Sequence, residues 1–263
     1  MRPSAATSGE VFYDPASARL YGELAAPHFQ PVADCLAEEA GAETASAILE
    51  IAAGSGCLTQ ALALRLGPNA QLLATDRSEA MLGAAREALS TAGEQINFAV
   101  LDYETPFELE DDSFDLIVSQ FGYLQTTQRG LEECARVLRP GGHLCLAFWA
   151  DDYLELKALS GARKANGLSP IRPYPVQELE ENLKHCGLAP TSIVGIGFPA
   201  HFENRDEYTQ YRKSLGLPND PKLEEQDLEV VATAAEMIES EQGPGEPLSF
   251  EWWATLVGAA QLS

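Results

Sequence analysis

Hydrophobic and polar positions along the chain switch repeatedly between two periods. Short apolar runs of strand type occupy residues 48–51, 71–75, 96–101, 114–119 and 143–149. Between them the apolar residues follow a helical period. Leu58, Leu62 and Leu66 are four apart, and Ala80, Met81, Ala84, Ala85 and Leu89 share one side of 78–92. A further helix is expected over 129–138, stopped by Arg139-Pro140-Gly141-Gly142. The run FDLIVS has the continuous character of a strand covered on both faces. Strand and helix alternating at this pitch predict a doubly wound parallel sheet.

Beyond residue 150 the pattern loosens. Helices are expected over 151–166, 176–186, 205–215 and 222–241, and strands over 191–202 and in LSFEWWATL. At the other end, residues 1–9 are small and polar, the composition of a disordered terminus. Residues 11–36 predict one or two short helices interrupted at Pro15, Pro27 and Pro31. Phe12, Tyr13, Leu20 and Tyr21 then form either a lid over the neighbouring site or a plain helix covering the sheet edge.

The chemistry concentrates where the first strand turns into its helix, in AILEIAAGSGCLT, residues 47–59. Gly54 and Gly56 let the backbone approach a ligand, and the helix start beyond them offers unpaired N–H groups. A dinucleotide fingerprint wants a third glycine, but Thr59 holds that place. Glu50, four residues before Gly54, suits a locally cationic ligand and ill suits a phosphate. Asp76 stands at the carboxyl end of the second strand, at about the spacing from Gly56 expected of an acid that binds ribose hydroxyls. Asp102-Tyr103 follow the third strand, where a carboxylate can accept from an exocyclic amine. Gln120-Phe121-Gly122-Tyr123 follow the fourth, at the sheet end where ligands bind in open α/β folds.

Composition narrows the partners. A chain of 263 residues with 45% hydrophobic content can bury one sizeable core, with room for a small cap. Its net charge of −23 argues against nucleic acid and anionic membrane surfaces and favours neutral or cationic small molecules. No apolar run approaches the roughly 18–20 residues of a membrane span, and no signal peptide is visible at the N-terminus. The five cysteines show neither a C-x-x-C pair nor zinc-ligand spacing. Free buried thiols in a reducing cytoplasm are expected, and no metal.

These motifs together resemble the class I S-adenosylmethionine-dependent methyltransferases, closest to the UbiE-like, methyltransferase type 11 group. ILEIAAGSG is similar to that family's cofactor loop, LLATDRSEAML to its ribose-binding segment, and LDYETPFELEDDSFDLIVSQFGYL to its adenine-binding acid and fourth strand. CARVLRPGGHLCLAFW is similar to its next helix, turn and strand. The resemblance implies a Rossmann-like α/β fold of about seven mostly parallel strands with an antiparallel last strand and a small helical cap. It divides the chain into an N-terminal lid (1–44), a cofactor-binding core (45–150) and a remainder carrying the acceptor cap (151–263). It implies S-adenosylmethionine as cofactor, S-adenosylhomocysteine as product and a small-molecule acceptor, methylated at O, N or C. The cofactor-binding residues it implies are Tyr21, Glu50, Ala52, Gly54, Ser55, Gly56, Asp76, Arg77, Met81, Asp102, Tyr103, Gln120 and Phe121. One departure is Gln125-Thr126-Thr127-Gln128, where relatives carry aromatic residues followed by Pro-Asp beside the acceptor pocket. The alternative is a cofactor-binding protein that transfers no methyl, cyclase-like or a partner subunit.

The chemistry asks little of side chains, because a sulfonium methyl is already activated and the protein aligns a nucleophile and excludes water. A hydroxyl or carbon acceptor also needs a general base. His201 and Tyr123 are the candidates chosen for that role, with Tyr174 and His28 behind them. Trp149, Tyr153, Tyr174, Phe198, Tyr208 and Tyr211 are candidates for the apolar lining of the acceptor site. The oligomeric state stays open.

Overall fold

The computed structural model describes residues 13–216, 221–243 and 246–262. The expectation of disorder over 1–9, and the packing of Phe12, lie outside the described residues.

Strand β1 (Ala47–Ile51) lies between β2 (Gln71–Asp76) and β4 (Phe114–Gln120), with β3 (Ile96–Val100) beyond β2 and β5 (Leu138–Trp149) beyond β4. All five are parallel. The last strand, β7 (Leu248–Gln261), inserts antiparallel between β5 and β6 (Leu188–Phe202), which gives the order 3-2-1-4-5-7-6. Seven strands, mostly parallel, with the final one reversed are what the resemblance implied.

Consecutive residues of the central strands serve opposite faces. Ile48, Leu116 and Val118 join one core with Val32 and Leu36 of α2 (Gln30–Glu39) and Leu58 and Leu62 of α3 (Cys57–Ala63). Leu49, Ile51 and Ile117 join the other, with Leu131 of α5 (Gln128–Val137) and Leu179 and Leu183 of α7 (Val176–His185). Each of these side chains is at most 3% exposed, so each contributes about 1.5–3 kcal/mol of apolar burial.

The first of these cores continues past the sheet into the cap. That cap consists of α6 (Leu154–Ala165), α8 (Arg205–Ser214) and α9 (Pro221–Gln242), and it holds Tyr208, Tyr211 and Trp252 at no more than 2% exposure. It packs at the carboxyl ends of the strands, next to α1 (Pro15–Leu24).

Three departures from the sequence reading have local causes. Pro15, Pro27 and Pro31 start helical segments instead of interrupting them, because the first helical positions need no N–H donor. The turn at Arg139–Gly142 does not precede β5 but bulges out of it, since Leu138 pairs with Phe114 and His143 with Leu116. Finally, β6 and β7 pair over their whole length, from Leu188 opposite Gln261 to Phe202 opposite Leu248. Pro190 and Pro199 are tolerated because β6 is an edge strand.

Candidate active site

The turn after β1 is held by the strand beside it. Asp76, at the end of β2, accepts the Gly54 N–H through Oδ2 and the Ser78 N–H through Oδ1, both at 2.9 Å. One carboxylate therefore clamps the glycine corner and starts α4 (Glu79–Ala88), whose N-cap is Ser78. Burial raises the Asp76 pKa, and the backbone N–H groups oppose the rise. Two bonds leave a carboxylate with capacity to accept more. Gly56 stands at φ +94°, and a Cβ there would lie 3.1 Å from both Ala85 Cβ and Leu89 Cδ1, so the corner packs directly on α4.

Glu50 lies on the floor of the cleft, 1% exposed. Its Oε2 accepts a 2.7 Å hydrogen bond from the Thr59 hydroxyl. Thr59, standing where a dinucleotide site has its third glycine, thus supplies the donor that fixes the acid. Burial pushes the Glu50 carboxyl up to about 8, and the other charge acting on it, Asp76, is also negative. Two further polar atoms here, Ser55 Oγ and Ser119 Oγ, are buried without a partner among the described residues.

Across from β1, Gln120 and Phe121 at the end of β4 form the opposite wall. Three non-glycine residues around this cleft adopt left-handed backbone: Ala52 (φ 59°), Phe121 (φ 55°) and Tyr123 (φ 58°). Each such conformation costs of order 1–3 kcal/mol and persists only where its surroundings over-determine it. Gly122 shows what does so. A Cβ added to it would fall 2.5 Å from Ala52 Cβ and 2.8 Å from Ser119 Oγ, so the two strand-end turns interlock.

The N-terminal helix closes the cleft. Asp14 caps α1 by accepting the Ser17 N–H at 2.8 Å, and Tyr21 on that helix lines the cleft, 3.9 Å from where a Gly54 Cβ would stand. Tyr13 packs edge-on to Tyr21 and donates its hydroxyl to the Leu215 carbonyl at 2.5 Å. Gln120 Nε2 donates to the Phe29 carbonyl at 2.9 Å, which ties the β4 end to the segment after α1. Leu20, expected in the same lid, is instead 39% exposed.

The cleft brings together Tyr21, Glu50, Ala52, Gly54, Ser55, Gln120 and Phe121. Asp76 joins them through its bond to Gly54, and Gly56 as the N-cap of α3. Beside them Arg77 is exposed and Met81 is buried in the first turn of α4. Asp102 accepts the Glu104 N–H at 2.9 Å, and burial pushes the Tyr103 phenol up to about 12.

His201 is not brought to the cleft. It is exposed on β6, on the face opposite the buried Phe198, Ala200 and Phe202, with its ring nitrogens 2.6 Å from Ser249 Oγ and 3.2 Å from Glu203. The alternation of the edge strand turns it outward, which corrects its choice as a base. His28 sits at the joint between the N-terminal segment and the cap, ringed by Phe202, Tyr211 and Trp252. Tyr174 packs on Phe148 at the opposite face of the sheet and accepts from Asn182, so it leaves the acceptor-lining set. Gln128 turns toward Glu132 and Cys186. Tyr123 is 60% exposed and stays at the mouth.

Sequence reasoning missed two features. Phe121 stacks on Trp149 with ring centroids 4.3 Å apart, and Phe29 closes edge-on against both. In the cap, Glu155 is 2% exposed and accepts from Tyr208 Oη (2.8 Å), Trp252 Nε1 (2.5 Å) and Arg212 Nη1 (3.4 Å). Glu155 stands among charged residues on a helix, a pattern that reads as solvated, and its partners come from α8 and β7.

Residues 48–142 match the family model described as a methyltransferase domain. The chain is 32% identical over 111 residues to the ubiquinone/menaquinone biosynthesis C-methyltransferase UbiE of Hydrogenovibrio crunogenus, covering 41% of this chain and 43% of that one. It is 40% identical over 100 residues to the UbiE of Bordetella avium, covering 37% and 38%. It thus spans about two fifths of the length of these curated relatives. Among solved structures, the YcgJ protein of Bacillus subtilis superposes with a TM-score of 0.62 at 18% identity, covering 88% of this chain and 98% of that one. Among the described residues, no helix is long and apolar enough to cross a membrane.

Proposed function

We propose, from the premise that residues 48–142 form a class I S-adenosylmethionine-dependent methyltransferase domain, that the whole chain transfers a methyl group to a small-molecule acceptor. The observation that carries this reading is Glu50: a buried carboxyl at a glycine corner, held by Thr59, with no ion pair to a cation among the described residues. Such a group awaits a cationic ligand, and the unpartnered Ser55 and Ser119 hydroxyls await polar ones. The cradle fits the cofactor. Glu50 and Ser55 would hold its amino-acid end, the Gly54–Gly56 backbone its middle, Asp76 the ribose hydroxyls and Asp102 the adenine amine. Tyr21, Phe29 and Phe121 would cover it, and aromatic faces suit a sulfonium. Arg77, Met81 and Tyr103 would flank the adenine base.

When bound, the cofactor supplies a methyl group already activated by its positive sulfur. The chain's own part is to align the acceptor and keep water out. We place the acceptor between the lid of residues 1–44 and the cap carried by residues 151–263, against Trp149 and Tyr153, with residues 45–150 as the cofactor-binding core. With His201 turned away, Tyr123 remains as the candidate base, and an acceptor that carries its own acidic proton or a neutral amine suits this site best. The free cysteines suit a reducing cytoplasm.

Asp76→Ala tests the placement. It removes both the ribose acceptor and the clamp on Gly54, and calorimetry should show S-adenosylhomocysteine affinity falling by tenfold or more. An unchanged affinity contradicts the assignment.

A further inference from the structure

Arg212 on α8 has five N–H donors, and among the described residues it makes one hydrogen bond, from Nη1 to Glu155 at a long 3.4 Å. Its Nε is buried with no partner. Glu155 also accepts from Tyr208 and Trp252, at shorter distances, so its pairing with Arg212 occupies one Nη only. The unused Nε–Nη2 edge is the side of a guanidinium that pairs two-fold with a carboxylate.

Aromatic rings link the cofactor cleft to the neighbourhood of this residue. Phe121, in the cleft wall, stacks on Trp149, and Trp149 stacks on Tyr153 at 5.6 Å. The charge of Arg212 acts on Tyr153, on Tyr211 and on Tyr123 at the cleft mouth. Asp227 on α9 lies in the same field. Stacked rings therefore run from the cleft wall at Phe121 to Tyr153, two residues before the Glu155 that Arg212 touches, in a protein of net charge −23. A guanidinium that pairs with Glu155 but whose Nε has no partner among the described residues, beside aromatic rings in so acidic a molecule, fits an anionic ligand with an apolar body.

We propose that the Nε–Nη2 edge of Arg212 binds a carboxylate on the methyl acceptor, holding an apolar or aromatic acid along the Phe121–Trp149–Tyr153 wall. This rests on the methyltransferase reading and narrows its substrate class. Arg212 is a specificity-determining residue here, distant from the reacting atoms.

The test titrates benzoate, benzamide and inorganic phosphate into the protein saturated with S-adenosylhomocysteine, following tryptophan fluorescence and calorimetric heat. Saturable benzoate binding, at least tenfold tighter than benzamide, is expected. Arg212→Lys keeps the charge but loses the fork, and Arg212→Met loses both. Each should weaken benzoate at least tenfold and leave S-adenosylhomocysteine affinity within threefold. Arg212→Lys guards against unfolding around Glu155, with near-ultraviolet circular dichroism as the check. Absent benzoate binding with the cofactor product bound, equal binding of benzamide, an effect-free Arg212→Lys, or a preference for phosphate overturns the proposal. Failure of S-adenosylhomocysteine itself to bind strikes the methyltransferase reading instead, and benzoate is then titrated into the free protein and both variants, where the same losses are expected and their absence overturns the proposal.

Discussion

Glu50 binds its proton more tightly in the folded chain than in the unfolded one, and this has two consequences of opposite sign. With a folded-state pKa raised to about 8, its contribution to stability is fully present below the ordinary carboxylate range and is lost as pH rises through about 8. A cationic ligand favours the ionised form, so ligand affinity moves the other way and rises from pH 6 to pH 8. Glu50→Gln should therefore raise the melting temperature at pH 8, on the order of 5 °C, and weaken cofactor binding at least tenfold. It should also flatten the pH dependence of both, as scanning calorimetry and titration at three pH values would reveal. Glu50, Gly54, Gly56 and Asp76 were legible because their types and spacing carry the chemistry. Ala52, Phe121 and Tyr123 were not legible as left-handed residues, since nothing in an alanine or an aromatic announces positive φ. That backbone is imposed by the interlock around Gly122, between turns some 70 residues apart in sequence.

At the scale of elements, α1 is a lightly anchored helix that places Tyr21 in the cleft. It is ten residues long, with one buried position, Ala18, and a cap at Asp14. A helix so lightly packed depends on its cap and on Tyr13 reaching Leu215. Asp14→Ala should fray it and reduce cofactor affinity a few-fold with little change in the global melting temperature. Hydrogen exchange should show faster exchange over residues 15–24 alone. The elements themselves were visible in the periodicity, but their ends were not. Helix α3 stops at Ala63 and leaves Leu64 78% exposed, so the four-residue spacing that runs on to Leu66 outlasts the helix. The full length of β6 and β7 was hidden by prolines that only an edge position tolerates.

The whole molecule combines a sheet whose strand number and directions were implied by the resemblance with a cap whose contacts no local pattern announces. Tyr208, Tyr211, Arg212, Glu155 and Trp252 meet from three elements, and in the sequence they look like unrelated aromatic and charged residues. The acidic surface belongs to this scale too. A net charge of −23 repels itself in the compact state, so stability should rise between 0.05 and 1 M salt. A chemical denaturation midpoint in urea that moves upward by roughly 0.5 M or more would express this at the m-values usual for small proteins.

Whether the corner at Glu50, Gly54 and Asp76 holds S-adenosylmethionine is decided by calorimetric titration of the chain with S-adenosylmethionine, S-adenosylhomocysteine and NAD. Micromolar binding of the first two, one site each, with no heat from NAD, is the predicted result. No binding of either sulfur compound, or binding of NAD in their place, would contradict it.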